Sequence, residues 1–182
     1  AGIAVQSGLC ETPARVLNAG FFSRMTRGRP YVRVKIGASL DGGTALANGL
    51  SRWITSPEAR ADVQRLRAGS SDVASGSGTV LADDRARVFS PPGQALVLTR
   101  TGADPERIAA LRARDVRVAE IAATEHGLDL QAALALLAAF EFNELLVEGG
   151  PRIAGAFIAA RLVDGGRRAY EVGLVGHVVP DG

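Results

Sequence analysis

Hydrophobic and polar positions alternate with a period of two from Tyr31 to Ile36. Val32, Val34 and Ile36 fall on one face and Tyr31, Arg33 and Lys35 on the other, the pattern of a strand with one buried side. Lys35 thus stands at a strand end, on the face that is not purely apolar. Further on the period lengthens. Ala59, Val63 and Leu66 recur at helical spacing, with Arg60 and Arg67 on another face. Thr55 and Glu58 form a capping-box pair ahead of them, and Pro57 suits the first turn. Ser71 to Ser75 reads as a short strand, Val80-Leu81 as its possible continuation before Asp83-Asp84, and residues 85–93 as a connection. From there strands and helices take turns. Ala95 to Thr99, Val116 to Ala119 and Glu144 to Val147 are the strands. Helices run from Pro105 to about Arg114 behind Asp104, from Asp129 through Phe140, and from Pro151 to about Arg161. Ala169 to Val179 reads as a final strand or hairpin. This rhythm predicts an α/β fold with a mostly parallel central sheet and helices on both faces.

The beginning of the chain fits that rhythm poorly. Ile3 to Val5 could make a short strand and Thr12 to Asn18 a short helix with Pro13 in its first turn. No strand precedes them, so they have little to pack on, and Arg24, Arg27 and Arg29 flank a loop ending at Pro30. Residues 1–29 are therefore expected to be a lead-in and residues 30–182 one domain, with no internal repeat or low-complexity linker. A first residue of Ala rather than Met suggests processing or a fragment.

Composition narrows the partners. The chain has 182 residues, 47% hydrophobic and 22% charged, the balance of a globular domain. Net charge is only +2 and the arginines are scattered along helices, which argues against a nucleic-acid surface. Cys10 is the single cysteine, so an internal disulfide and a multi-cysteine metal site are excluded. His126 and His177 stand at no metal-ligand spacing, and no metal is expected. The most apolar run, Leu130 to Phe140, falls short of the roughly 20 residues a membrane span needs. Nothing reads as a signal peptide, and the expected address is the cytoplasm, with no membrane partner.

Ligands of open α/β sheets sit beyond the carboxyl ends of strands, near helix N-termini. Three segments put suitable residues there: Lys35 with Gly37, Ala38 and Ser39; Gly76 to Thr79; and Glu148 with Gly149-Gly150. The Glu148-Gly149-Gly150-Pro151 turn says most, because two glycines admit a phosphate close to backbone and the following helix offers unpaired N–H groups. It serves equally well as a ligand-free strand-to-helix turn, being neither a G-x-G-x-x-G fingerprint nor a P-loop. Singly, the other candidates read as ordinary residues. Trp53 is a packing residue, Ser51 and Thr55 turn and cap residues, and Lys35 a surface charge. Asp83 and Asp84 read as a solvated loop, and Arg60, Arg65 and Arg67 as a solvated helix face.

Together they form longer motifs. The run K-I-G-A-S-L-D-G…S-R-W-I-T-S-P-E-A-R-A-D-V-Q-R-L-R-A…T-V-L-A-D-D and the later N-E-L-L-V-E-G-G-P-R-I-A-G-A-F resemble the C-terminal reductase domain of bacterial bifunctional riboflavin-biosynthesis deaminase-reductases. L-N-A-G-F-F-S-R-M resembles the junction after the family's deaminase half, and the likeness extends to about Asp164. The resemblance implies a dihydrofolate-reductase-like fold, a homodimer, and NADPH as cofactor. The implied reaction reduces the ribose of 5-amino-6-(5-phosphoribosylamino)uracil, the ring-opened sugar accepting a hydride at C1′. By motif position, Gly37, Ala38, Trp53, Thr79, Asp83, Gly149, Gly150, Pro151, Arg152, Ile153, Ala154, Gly155 and Ala156 would line the cofactor. Ser51, Arg67 and Glu148 would contact the substrate, Arg67 being available for its phosphate. Lys35 and Glu148 are the implied catalytic pair.

The match has two breaks. After Asp84 the family continues with P-x-L-x-V-R and a V-V-L-D-S-like strand, whereas this chain passes to Arg85-Ala86-Arg87-Val88-Phe89. The absent segment would hold an Arg for the substrate phosphate, a cofactor-contacting Ser and a central strand, so exposed edges and apolar surface are expected. Arg85 or Arg87 could replace the lost Arg. Second, where the family has L-V-D-E-L and an apolar strand that helps form the dimer, this chain has Leu162-Val163-Asp164-Gly165-Gly166-Arg167-Arg168. The deaminase zinc signature is also missing, so deamination is not expected. Three readings stand: the pyrimidine reductase, a truncated relative that binds nucleotide or a partner chain without turnover, and a reductase for another sugar-amine or pteridine.

Overall fold

Each element of the computed structural model begins or ends where local chemistry allows; the structure describes residues 2–38, 43–44, 56–76, 94–125 and 127–165. Two helices, α1 (Glu11–Leu17) and α2 (Ala19–Arg27), lead into β1 (Tyr31–Lys35). Helix α3 (Pro57–Ala68) is followed by β2 (Asp72–Ser75), β3 (Gln94–Arg100), α4 (Pro105–Arg112) and β4 (Arg117–Ile121). A short antiparallel pair, β5 (Ala123–Thr124) and β6 (Gly127–Leu128), precedes α5 (Leu130–Ala139), β7 (Glu144–Glu148) and α6 (Pro151–Ala159). Asp104 and Asp129 cap α4 and α5 as expected, accepting from the N–H groups of Glu106 and Ala132 at 2.9 Å. The cap of α3 is Ser56, not Thr55. Its Oγ accepts from Ala59 N at 3.2 Å, which places Pro57 at the first helical position.

The five long strands form one wholly parallel sheet in the order β1-β7-β2-β3-β4. Central strands of such a sheet are covered on both sides and read as continuous apolar runs. Leu145, Leu146 and Val147 of β7 and Val73 and Ala74 of β2 are accordingly no more than 1% exposed. On one face Val32, Leu145 and Val147 pack with Leu134 and Leu137 of α5 and Phe157 of α6. On the other, Val73, Val97 and Leu146 meet Leu66 of α3 and Leu111 of α4. Full burial of each such side chain contributes about 1.5–3 kcal/mol.

The exposed edge expected from the absent segment does not form beside β2. β2 pairs directly with β3, from Asp72 opposite Gln94 to Ser75 opposite Val97, and with β7 on its other side. Backbone N–H and C=O groups must be paired when buried. The apolar run Ala95-Leu96-Val97-Leu98, all of it buried, supplies a strand able to do so.

The lead-in also differs from expectation. No strand forms at Ile3–Val5, where both residues are more than 80% exposed. Helix α2 occupies what reads as a loop up to Arg27, and it docks on the sheet. A Cβ on Gly20 would lie 2.6 Å from Glu144 Cγ and 2.7 Å from the Asn143 carbonyl, so only glycine lets the helix approach this closely. Arg24 Nε donates to Asn143 Oδ1 at 2.8 Å, and Ser23 Oγ donates to the Arg29 carbonyl at 2.7 Å.

Two carboxylates at the N-terminal end of the sheet show opposite behaviour. Burial pulls the Asp164 pKa upward, but hydrogen bonds from Arg29, the Val32 N–H and Arg27, with the Arg29 charge, more than offset it and hold the group below its ordinary value. Asp72 is completely buried with Arg117 alone at 3.0 Å, and burial wins there, pushing its pKa up to about 6.

Candidate functional site

Alternation along β7 sends Leu145 and Val147 into one core and Leu146 into the other, which leaves Glu148 on the Leu146 side. The β1–β7 register places Lys35 opposite Glu148, with Arg33 opposite Leu146. Helix α3 covers this face, and its last turn brings Arg67 over the strand ends. Arg67 Nε donates to Glu148 Oε1 at 2.8 Å and Nη2 to Oε2 at 2.6 Å, a two-pronged fork between side chains only 13% and 10% exposed. Such a pair holds its geometry firmly. It adds little stability over apolar residues of the same shape, since desolvation cancels most of the attraction.

The turn after β7 opens the site. A Cβ at Gly149 would fall 2.6 Å from Ile153 Cγ2 and 3.4 Å from Gly76 N, so the absence of a side chain lets β7, β2 and α6 converge. Gly150 is the N-cap of α6 and offers no side-chain cap, while the space where its Cβ would point is open for 4 Å. The first N–H groups of a nine-residue helix, with the positive end of its dipole, therefore stand beside that open space. The chain leaves β1 toward α3 on one face of the sheet and leaves the neighbouring β7 through α6 on the other, the arrangement at which open α/β sheets form a crevice.

The structure brings Lys35, Gly37, Ala38, Arg67, Glu148, Gly149, Gly150 and Pro151 to this end of the sheet. Arg152, Gly155 and Ala156 are exposed on α6, whereas Ile153 packs against the core and Ala154 lies within it. Ser51, Trp53, Thr79 and Asp83 lie outside the described residues, as do Thr55, Arg85, Arg87, His126 and the expected final strand at 169–179. Sequence reasoning missed Ser75. Its buried hydroxyl oxygen is 3.6 Å from where a Gly149 Cβ would sit, on the Glu148 face of β2. Only the β2–β7 pairing, with Asp72 opposite Leu145, could have pointed to it. Among the described residues no group of His, Cys, Asp and Glu could hold a metal ion, and no helix is long and apolar enough to cross a membrane.

The profile of the RibD C-terminal domain matches residues 30–177. The chain belongs to the RibD C-terminal domain family. Riboflavin biosynthesis protein RibD of Escherichia coli K12 is 39% identical over 198 positions, covering 90% of this chain and 54% of that protein. Among solved structures, Acinetobacter baumannii RibD superposes with a TM-score of 0.72 at 33% identity, over 90% of this chain and 51% of that one. A Thermotoga maritima protein named as a diaminohydroxyphosphoribosylaminopyrimidine deaminase and 5-amino-6-(5-phosphoribosylamino)uracil reductase gives 0.68 at 27% identity, over 87% and 50%. The fold is thus the dihydrofolate-reductase-like α/β fold of RibD reductase domains. The chain spans about half the length of these RibD relatives. The E. coli match runs over 198 positions against 182 residues here, so the E. coli RibD carries residues within the matched stretch that this chain lacks.

Proposed function

We propose that this chain is an NADPH-dependent reductase of 5-amino-6-(5-phosphoribosylamino)uracil, forming the ribitylamino product in riboflavin biosynthesis. One observation carries the reading. The Arg67–Glu148 fork stands beside in-register Lys35, at a crevice whose other wall is the uncapped N-terminus of α6. Membership of the RibD C-terminal domain family and the activity in the T. maritima protein's name support it.

The residues suit the cofactor. Open space above Gly150 and the free first turn of α6 match a diphosphate, which needs backbone donors and close approach. Gly37 and Ala38 keep the top of β1 small, and Trp53, Thr79 and Asp83 complete the proposed set. When bound, the nicotinamide supplies the hydride. The reduction adds that hydride to C1′ of the opened sugar and one proton to the nitrogen attached to it. Lys35, a cation with three donors, delivers the proton. Glu148, held rigid by Arg67, accepts hydrogen bonds from the sugar hydroxyls and so fixes C1′ in place. Arg67 commits Nε and Nη2 to Glu148, which leaves Nη1 for the substrate phosphate, with Ser51 as a further substrate contact.

In this proposal residues 1–29 brace the domain that begins at residue 30, two copies form a homodimer, and the enzyme works in the cytoplasm. A second reading, a relative that binds nucleotide without turnover, is favoured by the residues present in the E. coli match and missing here. The deciding assay follows NADPH oxidation with the ribosylaminopyrimidine added. Turnover that Glu148→Gln abolishes, with cofactor affinity nearly intact, supports the reductase. Saturable NADPH binding with no turnover supports the second reading.

A further inference from the structure

Strand β2 brings one polar side chain to the C-terminal end of the sheet that the proposed mechanism leaves unused. Residues level with each other on parallel neighbours point to the same face. Lys35 of β1 stands opposite Glu148 of β7. Ala74 of β2 stands opposite Val147, so Ser75 comes level with Glu148 one step further along. On its other side Ser75 is paired with Val97, which packs with Leu146 in the core beneath α3 and α4. A cation, a carboxylate and a hydroxyl thus form one row across β1, β7 and β2, on the face that α3 covers.

Ser75 is the odd member of the row. It is only 2% exposed, yet its Oγ makes no hydrogen bond to another described residue. Leaving a buried hydroxyl without a partner is costly, and a role in the chemistry is one reason a protein keeps such a group. Its Oγ lies 3.6 Å from where a Cβ on Gly149 would sit, at the seam where β7 turns into α6. Neighbouring strands run about 4.8 Å apart, which brings the Glu148 carboxylate within reach of a serine hydroxyl free to rotate. That carboxylate has room for a further donor. Arg67 donates once to each of its oxygens, at 2.8 and 2.6 Å, and an ionised carboxylate has about four acceptor positions. Hydrogen bonds in a site often close only when the substrate is bound.

We propose that Ser75 is a positioning residue of the reductase site. With substrate bound, its hydroxyl donates to the Glu148 carboxylate from the β2 side, opposite Lys35, and keeps it turned toward C1′. Arg67 then fixes Glu148 from α3, and Ser75 fixes it from the sheet. The proposal deepens the reductase reading and rests on it. The experiment is steady-state NADPH oxidation by the wild type, Ser75→Ala and Ser75→Thr, with ordinary NADPH and with NADPH deuterated at the transferred position, alongside thermal melting. Ser75→Ala is expected to lower kcat about tenfold, the effect of one lost hydrogen bond to a charged group. Its KM for NADPH stays within about twofold of the wild type, because the cofactor contacts are untouched. The deuterium effect on kcat rises toward that of a fully rate-limiting hydride transfer. Ser75→Thr keeps the hydroxyl and recovers most of kcat. The melting temperature of Ser75→Ala does not fall, since the hydroxyl it removes is unpaired in the unliganded chain.

A kcat within about twofold of the wild type in Ser75→Ala overturns the proposal. So does a loss of kcat that comes with a lower melting temperature and an unchanged deuterium effect, which makes Ser75 a structural residue. If the wild type does not oxidise NADPH, the reductase reading falls, and calorimetric binding of the phosphoribosylaminopyrimidine decides Ser75. Binding weakened about tenfold in Ser75→Ala and restored in Ser75→Thr supports its hold on Glu148. Equal binding, or none, overturns it.

Discussion

The two ends of the sheet use the same chemistry to different effect. At the N-terminal end, Asp164 is tied to Arg27, Arg29 and the Val32 N–H, Glu144 to Arg33, and Asp72 to Arg117. At the C-terminal end one fork, Arg67 on Glu148, stands beside Lys35, two glycines and an uncapped helix. An arginine–carboxylate pair is therefore no mark of a site by itself. What separates the ends is whether the surrounding donors are used up. Asp164 joins α2, β1 and the segment after α6 and leaves nothing for a ligand, whereas Glu148 sits at the edge of open space with donors still to satisfy.

The largest effect that would test this contrast is on stability. Asp164→Ala leaves two guanidinium groups and the Val32 N–H without their partner, and the expected loss is about 3–5 kcal/mol, read from urea unfolding. A loss below 1 kcal/mol would show that the lower end is not a clasp. Next comes Glu148→Gln. It should cut turnover by about a hundredfold or more while shifting the unfolding midpoint far less than the Asp164 variant does. A large loss of stability with turnover per folded molecule preserved would move Glu148 into the structural class. Gly20→Ala pushes α2 off Asn143 and Glu144, and an expected cost of about 1–3 kcal/mol would appear in the same unfolding experiment.

The smallest effect is in the pH dependence. The folded pKa of Asp72, about 6, is above its ordinary 3.8. Between those values the native protein holds a proton that the unfolded chain has lost, so this group's contribution to stability falls as pH rises through the window. Asp164, lowered in the folded state, contributes stability above its unfolded pKa and loses it as pH falls through its folded value. Asp72→Asn should flatten the decline between about pH 4 and 6 in unfolding free energies measured across pH. An unchanged slope would assign that window to another group.

Much of the fold was legible because its signals are local. The period of two in Tyr31–Lys35, the capping Asp104 and Asp129, and the Gly149-Gly150-Pro151 turn depend on neighbours a few residues away. The long motifs around Lys35 and Glu148 carry the family for the same reason, since each is a continuous run. Placing Thr55 rather than Ser56 at the cap was an error of one residue within a correctly read helix start.

What the sequence by itself determined is the alternation of strands and helices, the end of the sheet that carries the candidate site residues, and the residue types available there. Tertiary structure alone decided the rest. Helix α2 was hidden because its partner Asn143 is 119 residues from Arg24, and a mixed Phe and Arg segment shows its buried side only once that partner is present. The closure of β3 onto β2, the register that sets Lys35 beside Glu148, and the hydroxyl of Ser75 near Gly149 depend on strands brought together from distant parts of the chain. Periodicity and turn chemistry act over a few residues, whereas register and charge pairing are settled only when distant segments compete for the same partners.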